Sequence, residues 1–385
     1  MGFSTRQFVY ARYCHGAHRR HDTAVASRKW VGRIRQTVCA CLIWGLCAGV
    51  VASETLRIAT YNPEMTDQGP GLVLQALRRG EDAKMVAVVA VIVALKADVL
   101  LLTGIDYDAE GATIGALAEN LARAGATYPF YLPLRPNTGV ATGLDLDGNG
   151  RLGEPRDAMG YGRYAGAAGM AILSRYPIDS ANIRDFSSFL WADLPGNLMQ
   201  DPSPIRAVQR LATTGMYEVP IVLPNGQSLR LLTYYATPPV FDGPEDRNGR
   251  RNHDETALWL RLLGGQLPDA APMPPFVLLG QPNLDPADGE GRPAALRAIL
   301  AHPALQDPSP RGTAGRSDAG QRGDAALDTA LYDAIGGLRV EQVLPSADLQ
   351  VAGAGVMWPP NTDSAAATIA TASRHRPVWV DIVMP

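Results

Sequence analysis

The chain has 385 residues, of which 46% are apolar and 19% are charged, and this composition excludes a disordered chain, a collagen-like fibre and a disulfide-dense mini-protein. Its four cysteines, Cys14, Cys39, Cys41 and Cys47, all lie near the amino terminus, so the rest of the sequence has no thiol for a zinc cluster, a disulfide framework or a cysteine nucleophile. Beyond residue 53 the formal charge is −10, which repels polyphosphate backbones and argues against strong generic nucleic-acid binding.

The first 52 residues have the organisation of a secretory signal peptide. Residues 1–53 carry eight basic residues and one acidic residue, a formal charge of +7. Fifteen uncharged residues, 38–52, follow the basic stretch and end in Val50-Val51-Ala52. A basic region, an apolar region and small residues before a cleavage point predict a signal peptide over 1–52 and a periplasmic or secreted protein over 53–385. An uncleaved anchor is the alternative, although fifteen residues are few for a membrane span, and none is expected in the mature chain.

The rest of the sequence alternates between strand and helix patterns. Strands are predicted at 56–61, 98–102, 169–174, 220–223, 229–234, 275–280, 338–344 and 378–383. Helices are predicted at 71–96 with a break near Gly80, at 113–124, at 253–264 and at 293–301. Because no linker or repeat interrupts this alternation, the sequence predicts one α/β domain over residues 54–385, with long polar loops.

One polar loop resembles the front half of a calcium-binding loop. Asp145, Asp147 and Asn149 place side-chain oxygens at positions 1, 3 and 5 of the pattern, and Gly150 stands at position 6. Position 12 is Arg156 instead of the bidentate Glu. The loop therefore predicts either a calcium site or a tight acidic turn.

Two further loops concentrate polar residues. Residues 242–255 are rich in Asp, Glu and Asn, and they suit either a ligand set or the amino terminus of a helix. Residues 283–289 follow an apolar strand, where α/β proteins often bind ligands. Near the carboxyl terminus, His375 lies between two arginines just before the last strand, as either an anion-binding group or a surface histidine.

The order of these features resembles the endonuclease/exonuclease/phosphatase superfamily. The matching features are the first-strand residue Asn62, the acidic segment after the second strand, the strand 169–175, the Leu-Gly-x-x-Asn loop at 279–283, and His375. The resemblance implies the deoxyribonuclease I-like fold over residues 56–383, an α/β architecture with two packed mixed β-sheets flanked by helices in a four-layer sandwich. It also implies metal-dependent hydrolysis of a phosphodiester or phosphomonoester, in a small molecule or a nucleic acid, with Mg²⁺ as the usual ion and Mn²⁺ or Ca²⁺ as alternatives.

The resemblance also implies a set of metal ligands. Asn62 matches the residue of the family that orients a metal ligand or phosphate. The family's metal-binding Glu falls at Gly104 here, so Asp106 or Asp108 would supply the carboxylate instead, and Asp285 is a further candidate.

The implied catalytic residues match only in part. Asn283 is kept, but Gln281 stands where the family has an Asp, and an amide cannot take a proton from water near neutral pH. Tyr235 stands where a strand of the family ends in His, so it can donate a hydrogen bond but carries no positive charge.

The last two matches concern the carboxyl-terminal strands. Glu341 keeps the charge of the family's Asp, and His375 matches the terminal His, which stabilises the pentacovalent phosphorus. The usual Asp neighbour of that His is Arg374 here.

Three functions follow from these matches and departures. The first is an exported, metal-dependent phosphoesterase in which loop carboxylates replace the lost groups. The second is a pseudoenzyme that binds an anion or calcium through its loops. The third, outside the family, is a calcium-loop adhesion or surface protein.

Overall fold

Two mixed β-sheets form the centre of the described part of the chain, residues 55–384 of a computed structural model. The predicted signal peptide lies outside the described residues. The strands are β1 (Thr55–Tyr61), β2 (Val99–Ile105), β3 (Phe130–Leu134), β4 (Gly169–Ser174), β5 (Arg184–Asp185), β6 (Gly215–Val222), β7 (Ser228–Tyr235), β8 (Phe276–Gln281), β9 (Ala330–Tyr332), β10 (Gly336–Leu338), β11 (Gln342–Pro345), β12 (Val351–Val356) and β13 (Val378–Val383). The α-helices are α1 (Leu72–Arg79), α2 (Ala83–Leu95), α3 (Ala112–Arg123), α4 (Ile205–Val208), α5 (Arg247–Leu263), α6 (Ala294–Leu300) and α7 (Ala365–Ala372).

The topology brings several strand ends to one edge. One sheet has six strands in the order β12-β13-β1-β2-β4-β3, and the other has five in the order β11-β8-β7-β6-β5. The pairs β1/β2 and β7/β8 are parallel, while the other pairs in these sheets are antiparallel. The carboxyl ends of β1 and β2 therefore lie together, as do those of β7 and β8.

Apolar side chains fill the three spaces between four layers. Strands of both sheets contribute to a central core that includes Ile58, Leu101 and Leu279. The outer face of the six-stranded sheet packs against α1, α2, α3 and α7, and that of the five-stranded sheet packs against α5 and α6. The four-layer α/β sandwich expected from the resemblance is therefore confirmed.

Helix α2 shows how the sequence produces an outer layer. Its amino terminus is capped by Asp82, whose carboxylate accepts a hydrogen bond from the backbone N–H of Met85 at 2.9 Å. Gly80, predicted to break the helical region, ends α1 with φ of 69°. None of the helices in residues 55–384 combines the length and apolar character that a bilayer crossing requires.

Several element predictions were incomplete. The helix predicted at 253–264 begins at Arg247, so residues 247–252 of the predicted polar loop belong to α5. The strand predicted at 338–344 is two strands, β10 and β11. Strands β3, β5, β9 and β12 and helices α4 and α7 were not predicted.

The central core makes a direct prediction about stability. Leu101 is fully buried between the sheets, so Leu101→Ala is expected to lower the free energy of unfolding by about 2–5 kcal/mol, through lost burial and the cavity left behind. Leu152 is 68% exposed, and Leu152→Ala should change that free energy by no more than about 0.5 kcal/mol. Urea unfolding of both variants tests this, and equal losses would contradict the assignment of the core.

Candidate active site

A hydrogen bond joins the two sheets at the edge where the parallel strands end. Asn62 directly follows β1, and its Nδ2 donates to Oε1 of Gln281, the last residue of β8, at 2.7 Å. The hydroxyl of Thr103 on β2 donates to the same oxygen at 2.9 Å. Three strands from two sheets thus converge on one buried amide.

The amide network continues to the loop after β8. Gln281 Nε2 donates to Oδ1 of Asn283 at 2.7 Å, and Nδ2 of Asn283 donates to the carbonyl of Ala236 at 2.7 Å. Asn62 Oδ1 accepts a hydrogen bond from the backbone N–H of Glu64 at 2.8 Å. The structure therefore brings Asn62, Gln281 and Asn283 together, with both atoms of each amide in use.

Two local features fix this network. A Cβ on Gly280 would lie 2.0 Å from the carbonyl oxygen of Tyr234, so only glycine permits the close approach of β8 to β7 just before Gln281. Tyr235, at the end of β7, lies near the side chains of Asn62 and Asn283, and burial raises its pKa to about 12. The Tyr235 phenol is therefore neutral at pH 7 and cannot replace a charged histidine.

His375 and Glu341 form a buried pair beside this network. Nδ1 of His375 lies 2.5 Å from Oε1 of Glu341, and the carboxylate identifies Nδ1–H as the donor. The two side chains are only 5% and 0% exposed. The His375 ring also makes an edge contact with Tyr332, with centroids 6.0 Å apart. The pair fixes the orientation of the imidazole, as a carboxylate does for a catalytic or ligand-binding histidine.

Glu64 was missed by the sequence analysis. Its Oε1 lies 2.7 Å from Nε of Arg374, and its Oε2 accepts hydrogen bonds from the backbone N–H of Arg374 at 3.0 Å and from the hydroxyl of Ser373 at 3.1 Å. Burial opposes ionisation, but the Arg374 N–H and the nearby charges of His375, Arg374 and Lys84 together lower the pKa of Glu64. The signal available in the sequence was the position of Glu64, two residues after Asn62.

The three carboxylates predicted to bind metal do not come together in the described residues. Each is already engaged by its own loop. The Asp106 carboxylate accepts hydrogen bonds from Tyr164 Oη at 2.6 Å and from the backbone N–H of Ala168 at 3.1 Å. The Asp108 carboxylate accepts from the backbone N–H groups of Ala112 at 2.6 Å and Thr113 at 2.8 Å. The Asp285 carboxylate accepts from the backbone N–H groups of Ala287 at 2.6 Å, Asp288 at 2.8 Å and Arg339 at 2.6 Å. These hydrogen bonds explain the buried or loop positions of the carboxylates without a metal.

The residues around His375 do not fit a divalent metal ion. A Cβ on Gly104 would lie 2.3 Å from Oδ1 of Asn62, so no acidic side chain could replace the missing ligand without displacing that amide. Glu64 is the carboxylate beside Asn62, and it faces the guanidinium of Arg374. Mg²⁺ is usually held by one or two carboxylates together with waters and substrate phosphates, and the carboxylate offered here is already paired with arginine.

A separate acidic cluster lies in the predicted calcium loop. Ligand oxygens of Asp145, Asp147 and Asp157 lie within 4.8 Å of one another, the one such group in residues 55–384. Asp157 follows Arg156, so a carboxylate reaches the loop from one position later than the calcium pattern requires. Asn149 donates through Nδ2 to Glu154 at 2.7 Å, which turns its amide toward the same loop. The calcium site stays a prediction.

Helix α5 holds the loops that carry Tyr235 and Asn283. Glu255 accepts from the backbone N–H groups of Thr213 at 2.6 Å and Thr237 at 2.7 Å. Asn252 Nδ2 donates to the carbonyls of Thr237 at 2.6 Å and Pro282 at 2.7 Å. The polar amino-terminal half of α5 is therefore a structural support and not a ligand set.

With this geometry established, comparison with known proteins is informative. The model of the Endonuclease/Exonuclease/phosphatase family matches residues 73–375. The chain belongs to this family. The resemblance seen in the sequence is thereby confirmed, and family membership supports a phosphoesterase-type function. Enzymes of the family generally use divalent metal ions, whereas Glu64, the carboxylate beside Asn62 here, pairs with the guanidinium of Arg374.

Solved structures resemble the chain at low identity. An endonuclease/exonuclease/phosphatase from Beutenbergia cavernae DSM 12333 is 18% identical, with a TM-score of 0.51 over 86% of this chain and 72% of that chain. Sphingomyelinase C from Streptomyces griseocarneus is 15% identical, with a TM-score of 0.46 over 85% of this chain and 99% of that chain. The human Nocturnin catalytic domain with bound sulfate anion is 13% identical, with a TM-score of 0.45 over 85% of this chain and 94% of that chain. No curated protein matches the chain.

Glu255 makes the stability of the protein depend on pH. Burial, only partly opposed by Arg251 and the two backbone N–H groups, raises the pKa of Glu255 from 4.5 to about 7. The folded state therefore binds more protons than the unfolded state between these values, and stability falls as pH rises through this window, by about 3 kcal/mol for this group. Urea unfolding at several pH values should show that Glu255→Gln removes this decline, whereas Glu119→Gln, at an exposed position on α3, should retain it. A decline that is unchanged in Glu255→Gln would contradict the assignment.

The calcium prediction has a direct test. Calcium bound by Asp145, Asp147 and Asp157 should raise the melting temperature of the wild-type protein, because the ion binds only the folded loop. The double variant Asp145→Ala/Asp147→Ala should lose this shift, since it removes two of the three carboxylates. Differential scanning fluorimetry with Ca²⁺ and with EDTA measures it, and absence of a shift in the wild-type protein would refute the calcium site.

Proposed function

We propose that this chain is a non-hydrolysing member of its family that binds a phosphate ester at the site around His375. The observation that carries the proposal is Gln281, whose amide stands where the family has an acidic residue and whose two polar atoms are both hydrogen-bonded within the protein. A side chain engaged in this way can position a ligand but cannot accept a proton from water.

The loss of hydrolysis follows from several departures that act together. A positioned general base contributes about 10²–10⁴-fold to a rate, and Gln281 does not provide one. Tyr235 replaces a histidine and stays neutral at pH 7. Gly104 and Arg374 remove the acidic groups that a divalent ion would need. Each loss alone would slow hydrolysis, and together they leave no route to an activated water.

Phosphate-ester binding is supported by the groups that remain. His375 is oriented by Glu341, and Arg374 lies beside it with 55% of its side chain exposed. Lys84 adds a further positive charge near Glu64, where its Nζ donates to the backbone carbonyl at 2.6 Å. Cationic donors of this kind form strong hydrogen bonds with phosphate oxygens.

The charge distribution of the sequence supports a proposal for the ligand class and for the cellular location of the protein. The formal charge of −10 beyond residue 53 disfavours a long polyanion, so we propose a small phosphate ester as the ligand in preference to a nucleic acid. The basic and apolar pattern of residues 1–52 supports export to the periplasm or the exterior. The competing function is Mg²⁺-dependent hydrolysis, in which carboxylates outside the present network would have to move into the site.

Activity assays separate these two functions. The 385-residue chain should show no turnover of p-nitrophenyl phosphate or bis(p-nitrophenyl) phosphate above background with Mg²⁺, Mn²⁺ or Ca²⁺. Gln281→Asp alone should also stay at background, because Gly104 and Arg374 still leave the site without metal ligands. Metal-dependent turnover by the wild-type protein that is abolished by His375→Ala would refute the proposal.

A further inference from the structure

The ion pair between Glu64 and Arg374 places a fixed positive charge beside His375. Nε of Arg374 lies 2.7 Å from Oε1 of Glu64, and the pairing uses only one of the five N–H donors of the guanidinium. Within residues 55–384, the terminal Nη groups make no hydrogen bond to protein, and 55% of the side chain is exposed. They are therefore open to an incoming anion.

Arg374 is also held in place from several directions. Its backbone N–H donates to Glu64 at 3.0 Å, and its carbonyl accepts from the N–H of Leu331 on β9 at 3.0 Å. Its guanidinium lies 5.9 Å from the ring centroid of Tyr332, which also contacts His375. The side chain is thus positioned before any ligand arrives, which reduces the entropy lost on binding.

The same charge disfavours a divalent cation. A metal ion beside Glu64 would have to displace the guanidinium from this carboxylate or bind next to a permanent positive charge. Arginine does not lose its proton in the accessible pH range, so this repulsion cannot be relieved by titration. The backbone hydrogen bonds of Arg374 also keep its side chain near the site.

We infer that Arg374 supplies, from within the chain, the positive charge that a divalent metal would otherwise provide, so that the site binds the phosphoryl group of an ester without any metal. This inference rests on the proposed phosphate-ester binding and adds that the binding requires no divalent cation. The two terminal Nη groups offer a planar fork that matches two phosphate oxygens, while the imidazole of His375 lies next in the chain. A phosphomonoester, with its higher charge, should bind more tightly than a diester.

Calorimetric titration with phenyl phosphate tests the inference on the 385-residue chain. Binding should be the same in EDTA and in millimolar Mg²⁺. Arg374→Gln should weaken phenyl phosphate binding by about tenfold to a hundredfold. Arg374→Lys keeps the charge but not the planar fork of donors, so its affinity should lie between those of the wild-type protein and Arg374→Gln. The matched control is Arg311→Gln, because Arg311 is 57% exposed and pairs with Asp324 at 2.7 Å, and it should leave the affinity unchanged.

A second measurement does not depend on phosphate binding. In the Asp145→Ala/Asp147→Ala background, which removes the acidic loop as a competing site, electron paramagnetic resonance should detect no bound Mn²⁺ while Arg374 is present. Arg374→Asp should gain a Mn²⁺ signal, since it places a second carboxylate opposite Glu64, and it should lose phenyl phosphate binding in EDTA. Equal Mn²⁺ binding by the two proteins would overturn the inference.

The outcomes separate the inference from the proposed function. Phenyl phosphate binding that disappears in EDTA and returns with Mg²⁺ would overturn the role of Arg374 while leaving phosphate-ester binding intact. Hydrolysis of the ester would overturn the proposed function, and the comparison of EDTA with Mg²⁺ would still decide the cation requirement. No binding in either buffer would overturn both.

Discussion

One oxygen atom, Oε1 of Gln281, joins the two sheets at the edge that carries the site. It accepts hydrogen bonds from Asn62 and Thr103, while Nε2 of the same amide donates to Asn283. A carboxylate at this position could accept the first two hydrogen bonds but could not make the third. Asn283 would have to turn its amide, and its own hydrogen bond to Ala236 would be lost. The network is therefore closed around an amide, and the glutamine is a structural part of the junction.

Groups of the chain itself also balance the charges of the site. Gly104 leaves space that the amide of Asn62 occupies, so the missing acid is replaced by a neutral group. Arg374 neutralises Glu64, so the carboxylate that remains has a partner inside the chain. Because these groups support one another, an acidic residue at position 281 alone would not create a metal site.

The sequence predicted those parts of the fold that have strong local patterns. Strands β1, β2, β4 and β8 are short, largely apolar runs followed by polar loops, and their order together with His375 carried the family resemblance. Strand β12 was not predicted because its apolar residues are interrupted by Gly353 and Gly355, which leave room for Trp379. The site was predicted less well, because sequence order places Asp106 near the pocket but does not reveal that Tyr164 and Ala168 engage its carboxylate.

The buried pair of His375 and Glu341 indicates why a site persists here. A buried pair of polar side chains is weak evidence of stabilisation, since well-packed apolar residues of similar size often serve the fold equally well or better. Glu341 Oε2 is buried and makes no hydrogen bond to another residue in the described part of the chain, which adds to the cost of the pair. The fold alone therefore does not require these two residues. An oriented imidazole beside an exposed guanidinium suits the phosphate-ester recognition proposed above, which would need neither a base nor a metal.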